Sequence, residues 1–276
     1  MESVTMTSEE AVLWLRSRPD LAEITRTSYF DEPIAAAAHR FFISEEWSAV
    51  RSLLGNVREK SVLDVGAGRG IASYAFAKDQ AKVTALEPDQ SDIVGSGALK
   101  RLRDDSNLDF EIVEDWAESM PFKNSSFDLV YARQVLHHAN NLGKFCKEIF
   151  RILKPGGLFL ACREHVAANK NDLEKFLHTH ILNKYTHNEY AYSLWEYKYA
   201  LKEAGFRIKS IFGPWESLIN IFPADTSVIK NRICKKLHLP VQEMIPDGIA
   251  VKIGRLYRNK VYFPGCLYSF YCLKAQ

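Results

Sequence analysis

From residue 61 the chain changes period. Short apolar runs, SVLDVG, KVTALEPD, LDFEIVED, FDLVYARQ and GLFLACREH, alternate with helical stretches such as GIASYAFAKD, SDIVGSGALKRLR and LGKFCKEIFRIL, the last stopping at KPGG. Strands separated by helices at this spacing pair in parallel, because each helix is the crossover that returns the chain to the same end of the sheet. Two further strands follow, FRIKSIFG and CLYSFYCLKA; before the first, NEYAYSLWEYKYALKEAGF reads as a helix ended by Gly205. The expected fold is therefore α/β: a doubly wound, Rossmann-like, mostly parallel seven-stranded sheet. Residues 8 to 54 read as helices, and SEEAVLWLRSR opens with a serine cap and acids in its first turn. The expected organisation is a helical N-terminal cap over 1–57, a core over 58–213, an irregular insertion across the sheet edge over 214–263, and the final strand of the core over 264–276.

The first strand runs into a loop with glycine at every second position, Gly66, Gly68 and Gly70. Such loops often cradle phosphate. No glycine-lysine step followed by Ser or Thr exists, so the P-loop is excluded, and the third glycine of a dinucleotide fingerprint is misplaced, since position 71 is Ile. Acids close the neighbouring strands: Asp64 the first, Glu87 the second, Asp115 the third. Three carboxylates converging on one crevice repel a pyrophosphate and favour a ligand with a ribose, an ammonium and a further positive charge, and S-adenosylmethionine has all three. The glycines then serve close approach of the backbone to the ligand.

With these residues in view, VLDVGAGRG, ALEPD, EDWAESMPF, FDLVYARQVLHH and RILKPGG resemble the successive motifs of class I S-adenosylmethionine-dependent methyltransferases, in the branch acting largely on small molecules. The resemblance covers roughly residues 60 to 162, with a weaker match in LKEAGF and the final strand. It implies that Gly66, Ala67, Gly68 and Gly70 line the methionine and ribose portion, that Asp64 orients the ammonium, and that Glu87 holds the ribose hydroxyls. Asp115 would meet the adenine amino group, Trp116 would offer its backbone N–H or ring, and Arg133 and Gln134 would sit beside the methionine end. Pro88 stands where the family often has a bulky apolar residue packing on adenine.

Transfer to a hydroxyl needs a base, and histidine titrates in the right range. His137 and His138, after the fourth strand, and Glu164 and His165, after the fifth, are the candidate catalytic residues; a surface ion pair is the alternative for Arg163 and Glu164. The aromatic stretch from 177 to 197 adds His178, His180 and His187. His178 and His180 do not share a helix face, and no metal site is expected. YFDEP at 29–33 and HRFF at 39–42 are expected in a helical lid.

The net charge of +2 is too small to imply a polyanion partner, yet eight basic residues stand against Glu243 and Asp247 between 230 and 260. That patch is a solvated face or an attractor for an anionic acceptor. Five cysteines without a CxxC pair argue against disulfides or zinc and fit a reducing, cytoplasmic setting; no apolar run is long enough to span a membrane. The expected acceptor is a small molecule or sugar, most plausibly at a hydroxyl, with nucleic acid disfavoured. A nucleic-acid methyltransferase, a cofactor-binding protein without turnover and a nicotinamide oxidoreductase remain the alternatives.

Overall fold

The computed structural model describes residues 5–186, 189–214, 216–221, 226–237, 245–256 and 266–275. Its N-terminal helices are α1 (Ser8–Arg16), α2 (Ala22–Thr27), α3 (Ile34–Phe42) and α4 (Glu45–Leu54). The cap of α1 is Thr7 rather than Ser8: its hydroxyl accepts from the Glu10 N–H while the Glu10 carboxylate accepts from the Thr7 N–H, a reciprocal box that satisfies two otherwise orphaned donors.

The alternating segment then follows as β1 (Ser61–Val65), α5 (Ile71–Lys78), β2 (Lys82–Leu86), α6 (Ser96–Asp105), β3 (Glu111–Val113), β4 (Phe127–Arg133), α7 (Leu142–Ile152) and β5 (Leu153–Val166). After it come α8 (Lys170–Thr179), α9 (Asn183–Thr186), α10 (Leu194–Glu203), β6 (Phe206–Phe212), α11 (Leu218–Ile221), α12 (Thr226–Leu237), α13 (Asp247–Leu256) and β7 (Cys266–Lys274). The strand order is β3-β2-β1-β4-β5-β7-β6, with β7 antiparallel to both neighbours and the other pairs parallel. This is the expected mostly parallel seven-stranded sheet.

Buried side chains decide the layers. In α7, Leu142, Phe145, Cys146, Ile149 and Ile152 form one stripe against the sheet, and the Asn141 side chain caps the helix by accepting from the Lys144 N–H. The helix α10 begins at Leu194 behind a Ser193–Glu196 box, later than the stretch from 188 suggests. The opposite face is covered by α3, α4 and α5, where Phe41, Trp47, Phe76 and Tyr131 pack edge to face or tilted. Of residues 39–42, Phe41 is thus fully buried in the core layer, while His39 is exposed.

The segment after 213 is helical where it is described, not irregular, and α12 and α13 pack around Ile233, Cys234, Ile245 and Ala250. Of its basic residues, Lys230 pairs with Asp247 at 2.6 Å. Arg258, Lys260 and Glu243 lie outside the described residues.

Candidate functional site

The strand order turns back between β1 and β4, and in such sheets ligands bind at that point, outside the carboxyl ends of the strands. A cleft opens there with two lobes, of about 350 and 820 Å³. Gly66, Gln134, His137, His138 and Glu189 line both.

The larger lobe contains Glu87, Pro88, Asp115 and Trp116. Glu87, 7% exposed, accepts from the Gly68 N–H at 2.7 Å and the Asp89 N–H at 3.0 Å, so one carboxylate fixes the glycine loop against the end of β2. Asp115 lies past β3 and accepts from the Trp116 N–H; the Trp116 ring is 62% exposed. The smaller lobe contains Asp64, Ala67, Gly68 and Arg133, together with His165 and His180. Asp64, 2% exposed, accepts from the Ser73 hydroxyl at 2.6 Å.

Gly68 and Gly70 do different work. A Cβ on Gly68 would meet the Val94 carbonyl oxygen at an ordinary contact of 3.6 Å, so it is the left-handed backbone (φ +53°) that calls for glycine there. A Cβ on Gly70 (φ +83°) would fall 2.1 Å from Leu99 Cδ1, so this glycine lets α5 pack on α6 and does not line the cleft.

Burial pushes the Asp64 carboxyl up to about 7, against the opposing hydrogen bond from Ser73. Burial also raises Glu87 to about 7, opposed by the N–H groups of Asp89 and Gly68. Both acids take up protons as the pH of the ligand-free protein falls through 7. A ligand that needs the ionised carboxylates must expel those protons. Its affinity is expected to fall about tenfold per linked carboxyl between pH 8 and pH 6, with proton release visible by calorimetry in buffers of different ionisation heat. A flat affinity over that range would refute the linkage.

The fifth strand carries the second group of candidates. Its pairing with β7 shifts register between Ala161 and Glu164, and Arg163 adopts φ +62°. Such a bulge re-aims the residues that follow. Glu164, fully buried, accepts from the Val135 and His137 N–H groups and lies 2.8 Å from His137 Nδ1. It stands behind His137 and does not line the cleft. Arg163 and Glu164 are not a surface ion pair: both are buried, and the Arg163 guanidinium donates to the Ile219 carbonyl.

His137 Nε2 faces Glu189 Oε2 at 3.5 Å. Burial would lower the His137 pKa, but the hydrogen bonds with Glu164 and Glu189 outweigh it and hold it near 9. His138 is 40% exposed at the junction of the lobes, its Nε2 4.0 Å from the same Glu189 oxygen. The His165 ring packs 4.9 Å from His137 and 5.4 Å from His180.

Several contributors carry no sequence signal. Glu46 of α4, 1% exposed, makes a two-point ion pair with Arg133 at 2.7 and 3.0 Å. Arg69 of the glycine loop donates to the carbonyls of Tyr29 and Asp31 and to Glu32, tying the loop to the N-terminal segment. Ser8, Ala11 and Val12 of α1 close the smaller lobe, and Trp14 of the same helix packs on Tyr185. Among the described residues no lysine lines either lobe.

Residues 63–161 match the family model described as a methyltransferase domain. The chain is 34% identical over 104 residues to a ubiquinone biosynthesis O-methyltransferase of Pseudomonas fluorescens, covering 37% of this chain and 43% of that protein. It is 33% identical over 152 residues to a sterol 4-C-methyltransferase of Caenorhabditis elegans, covering 52% and 43%. The chain spans about half the length of the curated relatives it matches. An S-adenosylmethionine-dependent methyltransferase from Mesorhizobium loti shares the fold, with a TM-score of 0.56 at 16% identity over 84% of this chain and 99% of that one.

Proposed function

From the methyltransferase domain carried by residues 63–161, we propose that this protein is an S-adenosylmethionine-dependent methyltransferase that methylates a hydroxyl of a small-molecule or sugar acceptor. One observation carries the cofactor assignment. Two buried carboxyls on adjoining strands, Asp64 and Glu87, flank a backbone loop with no side chain at Gly68. That donor set fits a cationic nucleoside: Glu87 would take the ribose hydroxyls, Asp64 the ammonium, and Asp115 with Trp116 the base. When bound, the cofactor supplies an electrophilic methyl group and its own leaving group.

The protein then has to align the acceptor, keep water out and receive a proton. Helix α1 and the segment after α8 close the smaller lobe, which is where an acceptor would be held. His138 is the group placed to take the acceptor proton. His137 is not, because both its ring nitrogens face carboxylates. The O-methyltransferase among the relatives supports oxygen as the receiving atom, and the histidine-rich wall supports an acceptor that loses a proton.

The test is a methyl-transfer screen with labelled cofactor against phenols, sugars and nucleotide sugars, with Glu87→Ala as the binding control. That variant is expected to weaken cofactor binding by about 2–3 kcal/mol, through loss of charge-assisted hydrogen bonds and of the loop contact at Gly68. Unchanged affinity in the variant, or preferential binding of NAD by the wild type, would overturn the reading.

A further inference from the structure

We propose that the smaller lobe holds a divalent transition-metal site, built from His137, His165 and Glu189 with His180 beside them. The first three each offer a ligand atom, and these atoms lie within 4.8 Å of one another. They come from three separate elements: the turn after β4, the end of β5 beyond its bulge, and the loop after α9, where the Glu189 N–H is anchored on Asn183 Oδ1.

Two further observations point to an ion. The first is the orientation of His137. Its Nδ1 is engaged by the buried Glu164 carboxylate at 2.8 Å, which leaves Nε2 to face Glu189 and the lobe. A carboxylate behind an imidazole, fixing the ring and raising the basicity of its far nitrogen, is the usual support of a metal-bound histidine. The second is His180. Its Nδ1 is buried without a hydrogen-bond partner, yet it sits 3.9 Å from Glu189 Oε1. A hydrogen-bonded cluster without an ion leaves that nitrogen unexplained; a fourth ligand does not.

The donor set selects the ion. Imidazole nitrogens and a carboxylate, with no cysteine or methionine among the described residues lining the lobe, suit Zn²⁺, Fe²⁺, Co²⁺ or Ni²⁺ rather than Cu⁺. Ligand distances of about 2.0–2.2 Å require the ligand atoms to close in by roughly an ångström, within the reach of side-chain rotation. With four protein ligands, an ion that accepts a fifth would have that position open to the lobe for an acceptor hydroxyl. The site does not depend on the methyl-transfer reading; that use of it does.

The experiment is a titration of metal-stripped protein, without cofactor, using Co²⁺ read by its visible absorption and Zn²⁺ read by calorimetry. The expected result is one equivalent per chain at micromolar affinity or tighter, with ligand-field bands of a nitrogen- and oxygen-bound ion. His165→Ala and Glu189→Gln should each weaken binding at least tenfold, while His178→Ala, on α8 and outside both lobes, should not. Circular dichroism and thermal melting of the same variants check that they remain folded, since both residues line the cleft. Absence of saturable binding or of ligand-field bands in the wild type overturns the proposal whatever the variants do, as does binding that neither substitution changes. Metal bound by a protein that binds no S-adenosylmethionine leaves the site standing and removes the methyl-transfer reading; the reverse result removes the site alone.

Discussion

Replacing Glu46 with alanine is expected to destabilise the protein by about 3–5 kcal/mol, the range for removing one partner of a buried ion pair. The carboxylate is 1% exposed and holds Arg133 through two bonds of 2.7 and 3.0 Å. A second guanidinium, Arg163, approaches to 4.0 Å. Burial alone would lower the Arg133 pKa, but Glu46 outweighs it and keeps the guanidinium charged. Alanine removes that carboxylate and leaves two cations near each other, Arg163 buried and Arg133 only 12% exposed where it lines the lobe. The melting temperature should drop by about 10 °C or more, at the roughly 2–4 °C per kcal/mol of a chain this size. Chemical denaturation supplies the free energy. Adding Arg133→Met to the same chain should recover part of the loss, because an apolar side chain of similar length needs no counter-charge. A loss below about 1 kcal/mol would mean that Arg133 is hydrated. The pair also has a functional meaning, since Arg133 lines the lobe beside Asp64 and is held there by a helix of the N-terminal cap.

The sheet was legible because strands buried on both faces read as apolar runs, and the crossover helices between them carry the 3.6-residue stripe. Asp64, Glu87 and Asp115 could be placed because strand ends are fixed by those same runs. What sequence could not show depends on contacts between distant segments. Glu46 looks like an ordinary first-turn acid of α4, and only the fold reveals that its face turns toward Arg133. Glu189 follows two histidine-bearing segments without any spacing that marks it, yet it lies against His137, His138 and His180. Glu164 was expected at the mouth of the cleft, but the bulge with Arg163 at φ +62° aims it behind His137. Gly70 shares its spacing with Gly66 and Gly68, and only the approach of Leu99 separates packing from ligand contact. Helices α12 and α13 were missed because their apolar positions pair with one another, around Ile233 and Ala250, whereas α11 packs against α4 and the strands β5 and β7.

His138→Ala should lower turnover by about 10²-fold or more while leaving the cofactor dissociation constant unchanged. Several imidazoles and carboxylates line or back the acceptor side, so the assignment rests on which imidazole is exposed to the cleft. His137 is 1% exposed, pinned between Glu164 and Glu189, and held near pKa 9; at neutral pH it already carries its proton. Glu164 is fully buried behind it and reaches no acceptor. His138 alone of the pair is exposed, at 40%, where the two lobes meet. Loss of its imidazole removes the acceptor's proton sink without touching Asp64, Glu87 or the glycine loop. The deficit should therefore fall on kcat, and it should shrink for acceptors whose hydroxyls ionise readily, because a phenol depends less on a base than an alcohol does. Measuring kcat against acceptor pKa in both proteins separates the two roles open to this residue. A base gives a deficit that grows with acceptor pKa, whereas a side chain that only closes the lobe gives one that is constant across the series. A constant deficit, or none, would place proton removal elsewhere, with Glu189 the next group in reach.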